Sequence, residues 1–283
     1  MRRFQVRVRK LPIAPFTVLK LVRELRSSTA DRRPLVLGGA RSLVDALRRE
    51  LGRDGDGTAV REVSRGGVDG AAALVYVLVA EPTEEDERTL RSADVAGLAV
   101  IVIGPEPTTA VPYVLATDVL PLRPGEGFPL EELGRLLAAK DEDTAVALAA
   151  RLPALRRGVA EALVARVARQ NAVIAAAVFV PGVDFPVLTL NQLRLVLRLA
   201  AAYEEEIDAE RLPEILGVVG TALGFRALAR QARGVVPVAG WALQGGVAYA
   251  GTLALGEAAI RYFQTRASGS GGAEPGTPGA DRA

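Results

Sequence analysis

The chain has 283 residues, a formal net charge of +2, no histidine, no cysteine and only three lysines, Lys10, Lys20 and Lys140. Without imidazole there is no Ser-His-Asp relay, no histidine general base and no histidine metal site. Without a thiol there is no disulfide framework and no cysteine nucleophile. No catalytic residue, metal or cofactor is expected, and the composition fits the cytoplasmic side of a reducing compartment.

Residues 1–33 carry ten Arg and Lys against Glu24 and Asp31, a local charge of +8, which leaves about −6 for the remainder. No apolar core and cleavage site follow these cations, so they do not read as a secretory signal. Ala14 to Leu25 places Phe16, Leu19 and Val22 near one helical face with Lys20 and Arg23 beside them. Such a basic amphipathic helix suits anionic lipid or an acidic partner; the plainer reading is a packed helix with solvated charges. Nucleic acid is not the expected partner, because only Phe4 and Phe16 interleave the cations and no reader motif accompanies them.

From Pro34 to Lys140 the pattern becomes α/β. Leu35 to Leu37 runs into Gly38-Gly39 and a helix from Ser42 to Leu51, while Ala73–Val79 and Leu98–Ile103 are continuous apolar runs suited to buried parallel strands. Thr83-Glu84-Glu85-Asp86 predicts a capped helix start, and Tyr113–Leu115 with Val119-Leu120 supplies a last strand or edge. Gly38, Gly39, Arg41 and Ser42 form a candidate anion loop at a helix N-terminus, the alternative being a tight strand-to-helix turn.

The order of these pieces, with the strand VYVLVA and the loop GEGFPLEEL at Gly125–Leu133, resembles the G domain of Era-like GTPases in layout. The nucleotide chemistry is missing: no G-x-x-x-x-G-K-[ST] string occurs, no lysine lies between Lys20 and Lys140, and the asparagines, Asn171 and Asn191, fall beyond this domain. The D-x-x-G strings at Asp54–Gly57 and Asp94–Gly97 precede strands and read as turns. A pseudo-GTPase sheet is the expectation.

Residues 141–263 predict an all-α bundle: helices over Glu142–Ala150 and Leu155–Val180, a break at Pro181-Gly182-Val183-Asp184-Phe185-Pro186, a helix capped by Thr189 through Tyr203, and further helices from near Asp208 and near Pro237. Over roughly 152–263 this half resembles the family catalogued as domain of unknown function 697, a helical module found C-terminal to Era-like GTPase domains. The residues that carry the resemblance are Phe179–Tyr203, Gly224–Gln231 and Val236–Phe263, and it implies membrane association, as in some members, without an established activity.

Val235 to Gly256 is uncharged for 22 residues and carries the small-residue row Ala242, Gly246, Ala250, which permits close helix approach in lipid or in a soluble pair. Asn171 to Val183 is uncharged for only 13 residues before Asp184, so a shallow or re-entrant hairpin fits better than a second span. Asp184 reads as a turn carboxylate or a functional group in that hairpin. Asn191 and Gln192 open a helix beside Arg194 and satisfy backbone groups or read a ligand. Glu257 is placed to pair with Arg226, Arg230 or Arg261, and Trp241 to anchor at an interface or pack inside. Pro181, Gly182 and Gly246 complete the candidate interaction residues. Residues 264–283, rich in glycine, are expected to be a disordered tail. The expected function is a non-catalytic, membrane-associated scaffold that meets the membrane peripherally or self-associates. The alternative is a soluble module that takes an anionic small molecule or nucleotide at the first strand–helix loop.

Overall fold

The computed structural model describes residue 23 and residues 30–105, 110–123, 125–177, 185–204 and 240–270. Five strands, β1 (Leu35–Gly39), β2 (Val60–Glu62), β3 (Ala73–Val77), β4 (Ala99–Gly104) and β5 (Val119–Pro121), form one all-parallel sheet in the order β2-β1-β3-β4-β5. This is the flavodoxin-like doubly wound order, in which the chain reverses its direction of progress between β1 and β3. The register pairs Leu35 with Ala73 and Gly39 with Val77, then Ala73 with Ala99 and Val102 with Val119.

The central strands are apolar at every position because both faces of the sheet are covered. Leu35, Leu37, Val75, Val77, Ile101 and Ile103 point to one face, under α1 (Arg41–Leu51) and α3 (Leu130–Lys140); Val36, Leu74, Tyr76, Val100 and Val102 point to the other, under α2 (Glu84–Val95). The start of α2 is a full capping box: the Thr83 hydroxyl accepts from the Asp86 amide and the Asp86 carboxylate accepts from the Thr83 amide. Asp86 also accepts the Tyr76 hydroxyl at 2.6 Å. Burial and that carboxylate together push the Tyr76 phenol well above its ordinary range.

The helical half packs on the α3 side. Helices α4 (Glu142–Arg151), α5 (Arg156–Ala177), α6 (Phe185–Ala202) and α7 (Gly240–Ser270) continue the core that begins at Leu35, so buried side chains run without a break from the sheet to Phe263. Gly158 of α5 lies against α3 so closely that a Cβ there would stand 2.0 Å from the Glu131 carbonyl oxygen. Arg151, 6% exposed, ends α4 and reaches from the helical half to the sheet. It donates to the Asp56 carboxylate at 3.0 Å and to the carbonyls of Arg32 and Arg33 at 3.1 and 3.3 Å, holding the entry to β1.

Several expectations change. β2 was not foreseen, and Tyr113–Leu115 is a turn with Tyr113 at φ 64° rather than a strand. Helix α6 starts at Phe185, not at a Thr189 cap: Pro186 sits in the first turn, where its missing N–H costs nothing. Helix α7 continues through Gln264 to Ser270, beyond the point where the tail was expected to begin. The basic segment before residue 30 (apart from Arg23), the helix expected from Asp208 and residues 271–283 lie outside the described residues.

Candidate functional site

The turn from β1 into α1 was the predicted anion loop, and its glycines answer to packing. A Cβ on Gly38 would meet the Tyr76 ring at 2.6 Å. Gly39, at φ 100°, lies so close to β3 that a Cβ would stand 2.0 Å from the Val77 carbonyl oxygen. That carbonyl accepts the Ala40 amide at 2.9 Å. These contacts make the tight strand-to-helix turn. Arg41 and Ser42 are exposed, and α1 starts without a side-chain cap or an acid in its first turn. Lys140 is spent elsewhere: its Nζ donates to the buried Asp118 carboxylate at 2.6 Å and ties the end of α3 to the turn before β5.

A crevice of about 440 Å³ opens beyond the carboxyl ends of β3, β4 and β5, the side on which open α/β sheets bind ligands. Its walls are apolar, from Leu43, Leu78, Leu122 and Phe128, and Glu50, Arg123 and Glu126 supply charge. Arg123 and Glu126 pair at 3.7 Å and are both well exposed. Gly38, Gly39, Arg41 and Ser42 do not line this crevice.

The second candidate is the free end of the helical bundle. Helices α5 and α7 run antiparallel, with a Cβ on Gly245 meeting the Ala172 carbonyl at 3.1 Å and one on Gly256 overlapping the Val164 side chain at 2.3 Å. The close approach therefore uses Gly245 and Gly256, whereas two members of the predicted row point away: Gly246 is exposed with nothing within 4 Å of a Cβ, and Ala250 is exposed too; the Ala242 side chain lies outside the described residues. One layer of polar side chains crosses the bundle. Asn171 Nδ2 donates to Thr252 Oγ1 at 3.0 Å, Asn191 Nδ2 donates to Asn171 Oδ1 at 3.0 Å, and the Thr252 hydroxyl donates to the Ala248 carbonyl at 2.8 Å. Gln192 Nε2 approaches the same hydroxyl at 3.5 Å. Among the described residues Asn191 thus reaches Asn171, and Gln192 approaches Thr252, across helices, and sequence reading left out these partners.

Beyond this layer, toward the free end, the helices carry no charge: Ala172–Ala177 of α5, Phe185–Leu190 of α6 and Gly240–Gly251 of α7 contain no Asp, Glu, Lys or Arg. Val173, Val187 and Tyr249 are 68%, 47% and 38% exposed there. Among the described residues no helix is long and apolar enough to cross a membrane.

Glu257 is exposed and makes no ion pair with Arg261 among the described residues. Arg194 is exposed on α6. Pro181, Gly182, Asp184 and Arg226 lie outside the described residues, as does the Trp241 side chain. Among the described residues no group of acids is arranged to hold a metal ion.

Compared with known proteins, the chain matches no family model, and no curated protein matches it. The likeness to the 697 family and to Era-like GTPases therefore rests on the quoted residues and the order of pieces alone.

Proposed function

We propose that this protein is a non-catalytic, membrane-associated scaffold, in which the end of the α5–α6–α7 bundle, uncharged over its described helical residues, enters one leaflet and the sheet half presents a docking surface. The carrying observation is the combination at that end: three helix ends whose described residues include no Asp, Glu, Lys or Arg, exposed Val173, Val187 and Tyr249, and polar groups that bond to one another beneath them. Lipid tolerates polar groups that are satisfied internally, and small residues give the close helix contact that packing in lipid needs. No described helix is long enough and apolar enough to cross, so a shallow, one-sided attachment is the form that fits. Loss of the P-loop lysine and of the guanine-reading motif supports a sheet that acts as scaffold rather than hydrolase.

Fractionation of the expressed protein tests this. The wild type is expected in the membrane pellet through a low-salt wash, and the double variant V173D/Y249D in the supernatant with an unchanged melting temperature. Recovery of the wild type wholly in the supernatant overturns the reading.

A second reading is favoured by the strand-end crevice, whose volume suits a small ligand with an apolar face. Here the protein is a soluble binding module. Thermal melting against a panel of nucleotides and small anions separates the two, since a ligand at 100 times its Kd stabilises by about 2.7 kcal/mol. No shift is expected on the scaffold reading.

A further inference from the structure

Below the helix ends whose described residues are uncharged, the bundle changes character within one helical turn. Asn171 bonds to both Asn191 and Thr252, which sets those three residues at one height in α5, α6 and α7. Measured from that height at 1.5 Å per residue, Arg169 stands about 3 Å and Arg194 about 4.5 Å toward the sheet. Both are exposed, and among the described residues neither forms an ion pair. The next arginines on the same helices are already engaged. Arg166 pairs with Glu142 at 3.4 Å, and Arg198 pairs with Glu142 and, at 3.2 Å, with Asp143. The first acid of α7 below Thr252, Glu257, is five residues on, about 7.5 Å deeper.

Above this height the described uncharged residues run for six positions on α5 and on α6, about 9 Å, and for twelve on α7, about 18 Å, which is close to the depth of one leaflet with its headgroups, about 20 Å. With the end at that depth, the Arg169 and Arg194 guanidiniums stand at the level of lipid phosphates, on stems long enough to adjust, and the acid stands clear of them.

We propose that Arg169 and Arg194 form a cationic collar that selects an anionic lipid surface for this end of the bundle. The proposal rests on the membrane-facing reading above and adds the class of lipid. The collar is separate from the basic segment at residues 1–33, so the two sources of positive charge make different predictions.

The test is flotation of the purified full chain with vesicles of phosphatidylcholine alone and of equal parts phosphatidylcholine and phosphatidylglycerol, for wild type and for the double variant R169Q/R194Q. Each cation near an anionic surface contributes about fivefold in partition, so the double variant is expected to lose about 30-fold on the mixed vesicles and to match wild type on the neutral ones. Both positions are exposed and, among the described residues, form no ion pair, and an unchanged melting curve verifies the fold. Wild-type binding that is equal on the two vesicles, or an anionic preference that survives in R169Q/R194Q, overturns the collar and leaves membrane attachment standing; the second result assigns the preference to another basic segment. Absence of flotation on either vesicle overturns the membrane reading itself.

Discussion

Asn171 and Thr252, 81 residues apart in the chain, meet at 3.0 Å in the middle of the bundle, and both are 0% exposed. The contact fixes the height at which α7 stands against α5, because a shift of one residue on either helix takes the buried Asn171 amide donor away from its acceptor, while the Thr252 hydroxyl keeps its own bond to the Ala248 carbonyl.

Removing one partner should therefore cost more than removing a typical hydrogen bond. Thr252→Val keeps the shape but strands the Asn171 amide in the core, and about 1–3 kcal/mol of stability should be lost in urea denaturation. Asn191→Ala, at a half-buried position, should cost less. Equal effects of the two substitutions count against a register-setting role for the buried pair.

Two glycines should respond in opposite directions. Gly39→Ala places a Cβ 2.0 Å from the Val77 carbonyl oxygen at φ 100°, so it should destabilise by several kcal/mol, about 3 or more, or prevent folding. Gly246→Ala, with open space around the new methyl group in a helix interior, should stabilise by about 0.5–1 kcal/mol. Differential scanning calorimetry of the pair reads both.

Arg151 joins the helical half to the sheet through contacts that a lysine does not reproduce. It is nearly buried, and its guanidinium fork meets a carboxylate and two backbone carbonyls at once. Arg151→Lys should lose about 2 kcal/mol, nearly as much as Arg151→Met, because one ammonium cannot fill the fork. Full rescue by lysine in thermal unfolding goes against this.

The acid limb of stability should bear the mark of Asp56. Its carboxylate accepts from the Thr58 hydroxyl at 2.6 Å and amide at 2.8 Å and from Arg151, which lower its pKa to about 2, outweighing a small opposing effect of burial. A folded value below the unfolded value of about 3.9 gives stability that is present above pH 4 and is lost as pH falls toward 2. The Asp56→Asn variant should show a shallower loss across that window in acid titrations of folding. An unchanged slope excludes Asp56 as a contributor.

The parallel strands were legible because they are continuous apolar runs between turn signals, and Leu35, Ala73 and Ala99 begin strands within a residue of where the pattern places them. The capping box at Thr83 and Asp86 and the helix from Glu142 were equally plain, since local hydrogen bonding sets them. β2 escaped: three residues, one of them Arg61, carry too little periodicity, and the strand exists because β1 offers it an edge. In α7 the Ala- and Gly-rich run is almost equally apolar all round, so no face stands out. Which glycine turns inward was decided by α5, where Val164 and Ala172 leave room for Gly256 and Gly245 and not for a larger side chain.

Composition alone settled the absence of imidazole and thiol chemistry, because that is a matter of which atoms the chain contains, and the positions of its three lysines settled the absence of a P-loop lysine. The charge-free segments were also visible in the sequence. Their convergence at one end, with Asn171, Asn191 and Thr252 at one height and Arg169 and Arg194 just below, was decided only by tertiary packing, which brings together residues that lie as much as 81 positions apart. Local pattern determines what each helix is made of; the partner across the core determines which of its faces meets protein and which is left for something else.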